Sequence, residues 1–244
     1  MCRKNPCTPL LLITMPVLRD IPVQLKKQEV LRRQGFGGGG KARPEIVTLT
    51  DELLHDVESD KILDLKASYE IYTVKEIKPE LVSLEGVGQV NGSLIPTAFP
   101  EAVELVTVVC TIGHRLEEQV TAFTRERETL RGILLDGIGS AAVDILAREA
   151  CHFISEEIRA RGFQAGSPVN PGMPGLPITE QANLLSLAHA GEIDVSLTVS
   201  GIMVPRKSTS VIMAVGDRMQ TWSQAEICRR CNLSADCPYT VLKR

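Results

Sequence analysis

This 244-residue sequence has no apolar run near the ~18–20 residues that a membrane-spanning helix needs. The longest early stretch, residues 10–18, is short and broken by Pro16. Arg3 and Lys4 precede it, as in a weak signal peptide, but no small-residue cleavage site follows. Residues 1–21 therefore read as an N-terminal extension, with Met15 as an alternative start, and the chain as cytoplasmic with no membrane partner. Aromatics are scarce at 4%, with a single tryptophan, so the core must be aliphatic. Neither sign of charge dominates: 27 Lys+Arg against 30 Asp+Glu leave a net charge of -3, which gives no global attraction to nucleic acid. No G-x-S-x-G and no His-x-x-x-His occurs, and Glu117, Glu118, Glu156 and Glu157 read as solvated helix faces. Nothing there supports a hydrolase.

What is present is ordinary for a folded globular chain, 43% hydrophobic and 23% charged. Residues 21–33 read as a basic helix ending near Gln34 and Gly35, followed by a flexible loop over 35–41. Gly35-x4-Gly40-Lys41 spells most of a phosphate-binding loop. A helix precedes it rather than a strand, however, and Ala42 stands where a hydroxyl would meet magnesium, so nucleotide binding is not expected. Helical patterns follow at 45–58 and near Ile62. Strand candidates are 71–74, 81–84 and 103–109, with Asn91-Gly92 as a turn signal.

Two strong helices come next, at 116–132 and 134–161. In the second, Ile138, Ala142, Leu146, Ala150 and Phe153 recur at 3–4 spacing, so one face is buried. Gly137, Gly139 and Ser140 inside it permit close approach of another group. Gly162 is a candidate C-cap. Residues 166–177 (GSPVNPGMPGLP) cannot be helix or central strand. Their irregular backbone offers N–H and C=O groups to a polar ligand. A helix at 179–190, capped by Thr179, and strands at 194–203 and 209–215 joined by a turn at 204–208 complete the pattern. The whole pattern reads as α+β: an N-terminal helical portion, then strands, a long helix and a C-terminal hairpin.

Seven cysteines, an odd number, argue against a disulfide framework. Cys2 and Cys7 form a loose pair with no expected site, and Cys110 reads as a buried thiol. Cys228-x2-Cys231-x5-Cys237 is sharper: three thiolates within ten residues suit zinc or an iron–sulfur cluster, with Cys151, Cys110 or a non-cysteine group as fourth ligand. Free tail thiols are the alternative.

Thr111-Ile112-Gly113, Leu116-Glu117-Glu118 and Leu135-Asp136-x-Ile138-Gly139-Ser140-Ala141-Ala142, in that order, resemble the activation (reactivation) domain of cobalamin-dependent methionine synthase. Pro171-Gly172-Met173-Pro174-Gly175-Leu176-Pro177 is similar to that family's Pro-Gly-Tyr-Pro-x-x-Pro loop. Leu197-Thr198, then Met203 and Pro205-Arg206-Lys207-Ser208-x-Ser210, resemble its C-terminal hairpin. Glu29-Val30-Leu31-Arg32 with Gly35 resembles the opening of its stand-alone members. The likeness implies a single activation-domain-like α+β domain over residues 22–220, with a twisted antiparallel sheet flanked by helices, leaving 221–244 as a cysteine-containing tail. It also implies binding of S-adenosylmethionine (AdoMet) at Asn170, Pro171, Gly172 and Met173, and presentation of its methyl group to cob(II)alamin.

Two positions depart from the family. Pro168 stands where the family has an arginine for the AdoMet carboxylate, and Met173 stands at the loop tyrosine. Arg206 is the candidate replacement cation. No cobalamin-binding Asp-x-His-x-x-Gly signature occurs. The expected role is thus a reactivation subunit for a separate corrinoid protein or methionine synthase core, with a flavodoxin-type or ferredoxin-type electron donor. The competing expectations are an iron–sulfur electron-transfer adaptor that does not bind AdoMet, and a ligand-binding domain stabilised by zinc.

Overall fold

A computed structural model describes residues 17–19, 21–36, 42–231, 234–235 and 240–242. Cys2, Cys7, Cys237 and most of the glycine-rich loop lie outside the described residues.

The elements, in order, are β1 (Val17–Arg19), α1 (Lys27–Leu31), α2 (Pro44–Ser59), β2 (Lys66–Lys78), β3 (Leu81–Leu84), β4 (Gly88–Asn91), α3 (Leu94–Ala98) and β5 (Glu104–Thr111). They continue with α4 (Arg115–Arg125), α5 (Thr129–Ala160), β6 (Gln164–Ala165), α6 (Glu180–Leu187), β7 (Ser196–Leu197), β8 (Met203–Val204), β9 (Ser208–Gly216) and α7 (Gln224–Arg230). Seven strands form one antiparallel sheet in the order β4-β3-β2-β5-β9-β6, with β1 also paired to β2; β7 and β8 form a separate hairpin. A register shift between Val74 and Glu76 bends β2, so that its first part pairs with β5 and its last part with β3.

Helices or loops cover both faces of the central strands, which is why β5 is buried from Leu105 to Thr111 on both of its faces. Because strand side chains alternate, Val106, Val108 and Cys110 enter one core with Val211 and Met213 and the buried stripe of α5. Leu105 and Ile212 enter the opposite core with Phe99, Leu176 and Leu184. Helix α5 has 32 residues, about 48 Å at the usual rise. Gly139 is the reason it can lie so close to α4: a Cβ there would stand 2.7 Å from a Leu116 methyl. Beside it, Lys207 makes an ion pair with Asp136 at 2.8 Å and donates to Ser140 at 2.9 Å, while its backbone N–H donates to Glu117. Glu117 therefore holds the turn before β9 and is not merely a solvated acid. Glu157 likewise accepts from the Tyr69 hydroxyl at 2.6 Å.

Several expected elements change. The first helix is only α1, followed by a π turn over Arg32–Phe36; residues 21–26, which include Pro22, are not helical. No helix forms near Ile62, because left-handed Lys61 stops α2 and the Asp64 N–H pairs with the Ile112 carbonyl. The break between α4 and α5 falls at left-handed Arg127, so Gly132 belongs to α5. Thr179 precedes α6 without a side-chain capping bond. The expected strand 194–203 is instead a hairpin of two short strands, entered through left-handed Asp194 and turned at Gly201. Gly162, with φ +90°, does close α5.

Candidate ligand site

Residues 166–177 run antiparallel to β9 and then leave the sheet. Val169 exchanges backbone hydrogen bonds with Ile212, and the Asn170 amide donates to the Ser210 carbonyl at 2.8 Å. Leu176 is buried in the second core, and the Gly175 carbonyl accepts from the Leu94 N–H at 2.9 Å. Both ends of the loop are thus fixed to the sheet and α3. Between them the chain turns on itself. Met173 N–H donates to the Asn170 carbonyl, Gly172 N–H to the Leu176 carbonyl, and Leu176 N–H to the Met173 carbonyl. The expectation of unpaired loop N–H groups is therefore corrected: these donors are satisfied internally. At these three positions carbonyl lone pairs and side chains are what remain for outside contact. Gly172 has φ +93°, and any side chain there would be strained.

Two cavities flank the loop. One, of about 440 Å³, lies beside Gly172 and Pro174, with Glu80 as its sole charged residue. The other, of about 600 Å³, opens between α5 and β9. Its floor is Thr209, Val211 and Met213. Asp144, Arg148, Cys151, His152 and Ser155 form the wall on α5, and Pro168, Asn170 and Met173 form the wall on the loop. Trp222, Gln224 and Ile227 close its end. Asn170 and Met173 therefore line the larger cavity, Gly172 and Met173 the smaller. Arg206 is exposed in the turn before β9 and is among the lining residues of neither.

The end wall belongs to the C-terminal segment. Trp222 stacks on Phe99 with ring centroids 5.4 Å apart and carries the Arg230 guanidinium 4.2 Å from its own centroid. Ser223 begins α7 with a full capping box to Glu226. That Ser-x-x-Glu signal was available in the sequence and marks a docked helix where only a cysteine tail was expected.

Cys228 lies on α7 and is buried, and Cys231 follows at its C-cap, half-buried. A backbone N–H from Val241 first, then Gln224 and Thr240, hold the Cys228 thiol below its ordinary range against the opposing effect of burial. Among the described residues no group of three or more His, Cys, Asp or Glu could hold a metal ion. Cys110 and Cys151 are buried in the core between the sheet and α5.

No protein-family model matches the chain, and no protein of curated function matches it in sequence. Among solved structures, the crystal structure of the MetH reactivation domain bound to AdoHcy is similar, with a TM-score of 0.58. The match covers 82% of this chain and 78% of that one, at 13% identity. The fold is that of a MetH reactivation domain: helices around a curled antiparallel sheet.

Proposed function

We propose that this protein binds AdoMet in the cavity between α5 and β9 and presents its methyl group to the corrinoid of a separate protein, as a reactivation subunit. The observation that carries the reading is the 600 Å³ cavity bounded by the Pro/Gly loop, in the fold of a domain whose solved structure holds AdoHcy. The volume suits a ligand of drug-like size, and the lining mixes apolar floor with a few convergent polar groups. When bound to its own protein, the corrinoid supplies the covalent and redox chemistry, with an electron from a flavodoxin-type or ferredoxin-type donor. The work of this chain is positioning: the anchored loop and the sheet floor fix the ligand, and no side chain is needed as acid or base. Asn170 keeps the loop on β9, Gly172 allows its turn, and Met173 packs beside the ligand.

Titration calorimetry of the reduced protein tests this. AdoMet and AdoHcy should each bind one-to-one, and Gly172→Val should weaken both, because it strains the φ +93° turn. Absence of binding, even with a corrinoid protein present, would overturn the reading.

A second reading is favoured by the thiol chemistry of α7. The Cys228 thiol is held below its ordinary range, Cys231 follows at the helix end, and Cys237 stands three positions before Thr240 in the sequence. Iron–sulfur or zinc binding by Cys228, Cys231 and Cys237 would make the protein an electron-transfer adaptor or give it a metal-stabilised tail. Iron, zinc and labile sulfide content of the anaerobically purified protein separates these.

A further inference from the structure

A ligand with an α-amino-acid end carries a carboxylate and an ammonium on one carbon. A site for it needs a cation and an anion set close together. The larger cavity has such a pair on one helix. Asp144 and Arg148 are four residues apart on α5, so both project from the same face, with Cβ atoms about 6 Å apart. Among the described residues that line this cavity, Arg148 is the only Lys or Arg. Pro168, on the opposite wall, brings no charge.

The present partners of Arg148 are weak ones. Its guanidinium is 3.4 Å from Glu29 and 3.6 Å from Glu149, longer than the ~2.7–2.9 Å of a strong charge-assisted bond. Its side chain is more than half exposed, at 56%. Exposed pairs of that kind contribute little and are readily exchanged for a bidentate carboxylate.

We infer that Arg148 is the carboxylate-binding residue of this site and Asp144 its ammonium partner, so that α5, not the loop and not Arg206, reads the amino-acid end of the ligand. This rests on the AdoMet reading above. With that end against Asp144 and Arg148, the rest of the molecule extends along the β9 floor toward Met173 and the Trp222 end wall.

The experiment compares AdoMet with decarboxylated AdoMet, which keeps the sulfonium and nucleoside and lacks the carboxylate. Arg148→Met should weaken AdoMet binding about tenfold or more and leave the decarboxylated compound unchanged. Arg148→Lys should recover part of the loss, and Arg206→Met should leave both ligands unchanged. Equal loss for both ligands, no loss for either, or a carboxylate-selective loss in Arg206→Met would overturn the inference while the AdoMet reading stands. A wild-type protein that binds neither compound overturns that reading and this inference with it. Unfolding midpoints of each variant confirm that any loss is not loss of fold.

Discussion

Cys110 and Cys151 are buried in the core between the sheet and α5, whereas Cys228 lies on α7 and Cys231 at its C-cap. The thiol chemistry of Cys228 diverges from that of the core pair because its surroundings differ. Cys110 is wholly enclosed, and burial, reinforced by Cys151, pushes its thiol well above the ordinary range. Burial likewise pushes Cys151 up to about 12. Cys228 is covered too, but by its own helix and residues 240–241, whose donors favour thiolate. Enclosure among methyl groups makes a cysteine a small hydrophobe; enclosure among N–H donors makes it a ligand or a nucleophile.

The largest test of that contrast is reactivity. In reduced, metal-free, native protein at pH 8, iodoacetamide should modify Cys231 and Cys228 on the order of a hundredfold faster than Cys110 and Cys151. Mass-spectrometric mapping reads it, and comparable rates would break the contrast.

Stability in alkali comes next. Between pH 9 and 12 the folded protein keeps the Cys110 and Cys151 protons, while the unfolded chain releases them near pH 9. The unfolded state then binds fewer protons, so the stability these thiols contribute is complete below pH 9 and is lost as pH rises. The slope is about 1.4 kcal/mol per pH unit for each buried thiol. Urea midpoints measured at pH 8, 9 and 10 should fall accordingly, and Cys151→Ala should remove one thiol's share. A flat profile would show that the core admits thiolate.

The smallest effect sharpens the tail side. Gln224→Ala removes one of the donors that favour the Cys228 thiolate, so the midpoint of its alkylation rate against pH should move up toward the ordinary thiol value. No movement would leave the Val241 N–H as the dominant cause.

The core side of this comparison was the legible one. The period of α5 and the apolar run of β5 come from side chains repeating one environment, although Phe153, read onto the buried face of α5, is exposed; β3 was read at its observed bounds, Leu81–Leu84. Where environments change every few residues the pattern fails. Strand β4 and helix α3 hide around Asn91-Gly92 and Pro96, because Asn91 serves as a clamp on the buried Glu180 rather than as a turn residue. The loop 166–177 was legible as irregular, since its prolines and glycines forbid anything else. Its internal pairing was not, because that depends on the fold. Asp144 and Arg148 look like any charged helix surface in sequence; only the approach of β9, the loop and α7 turns that surface into a wall.

The lone tryptophan has a practical meaning. Trp222 is clasped between a phenyl ring and a guanidinium at the end of the larger cavity. All indole fluorescence of the chain therefore originates from one spot, where α7 meets the larger cavity. The protein carries its own optical probe. Its emission follows the seating of α7 and the filling of the cavity without a label, and with no second indole to subtract.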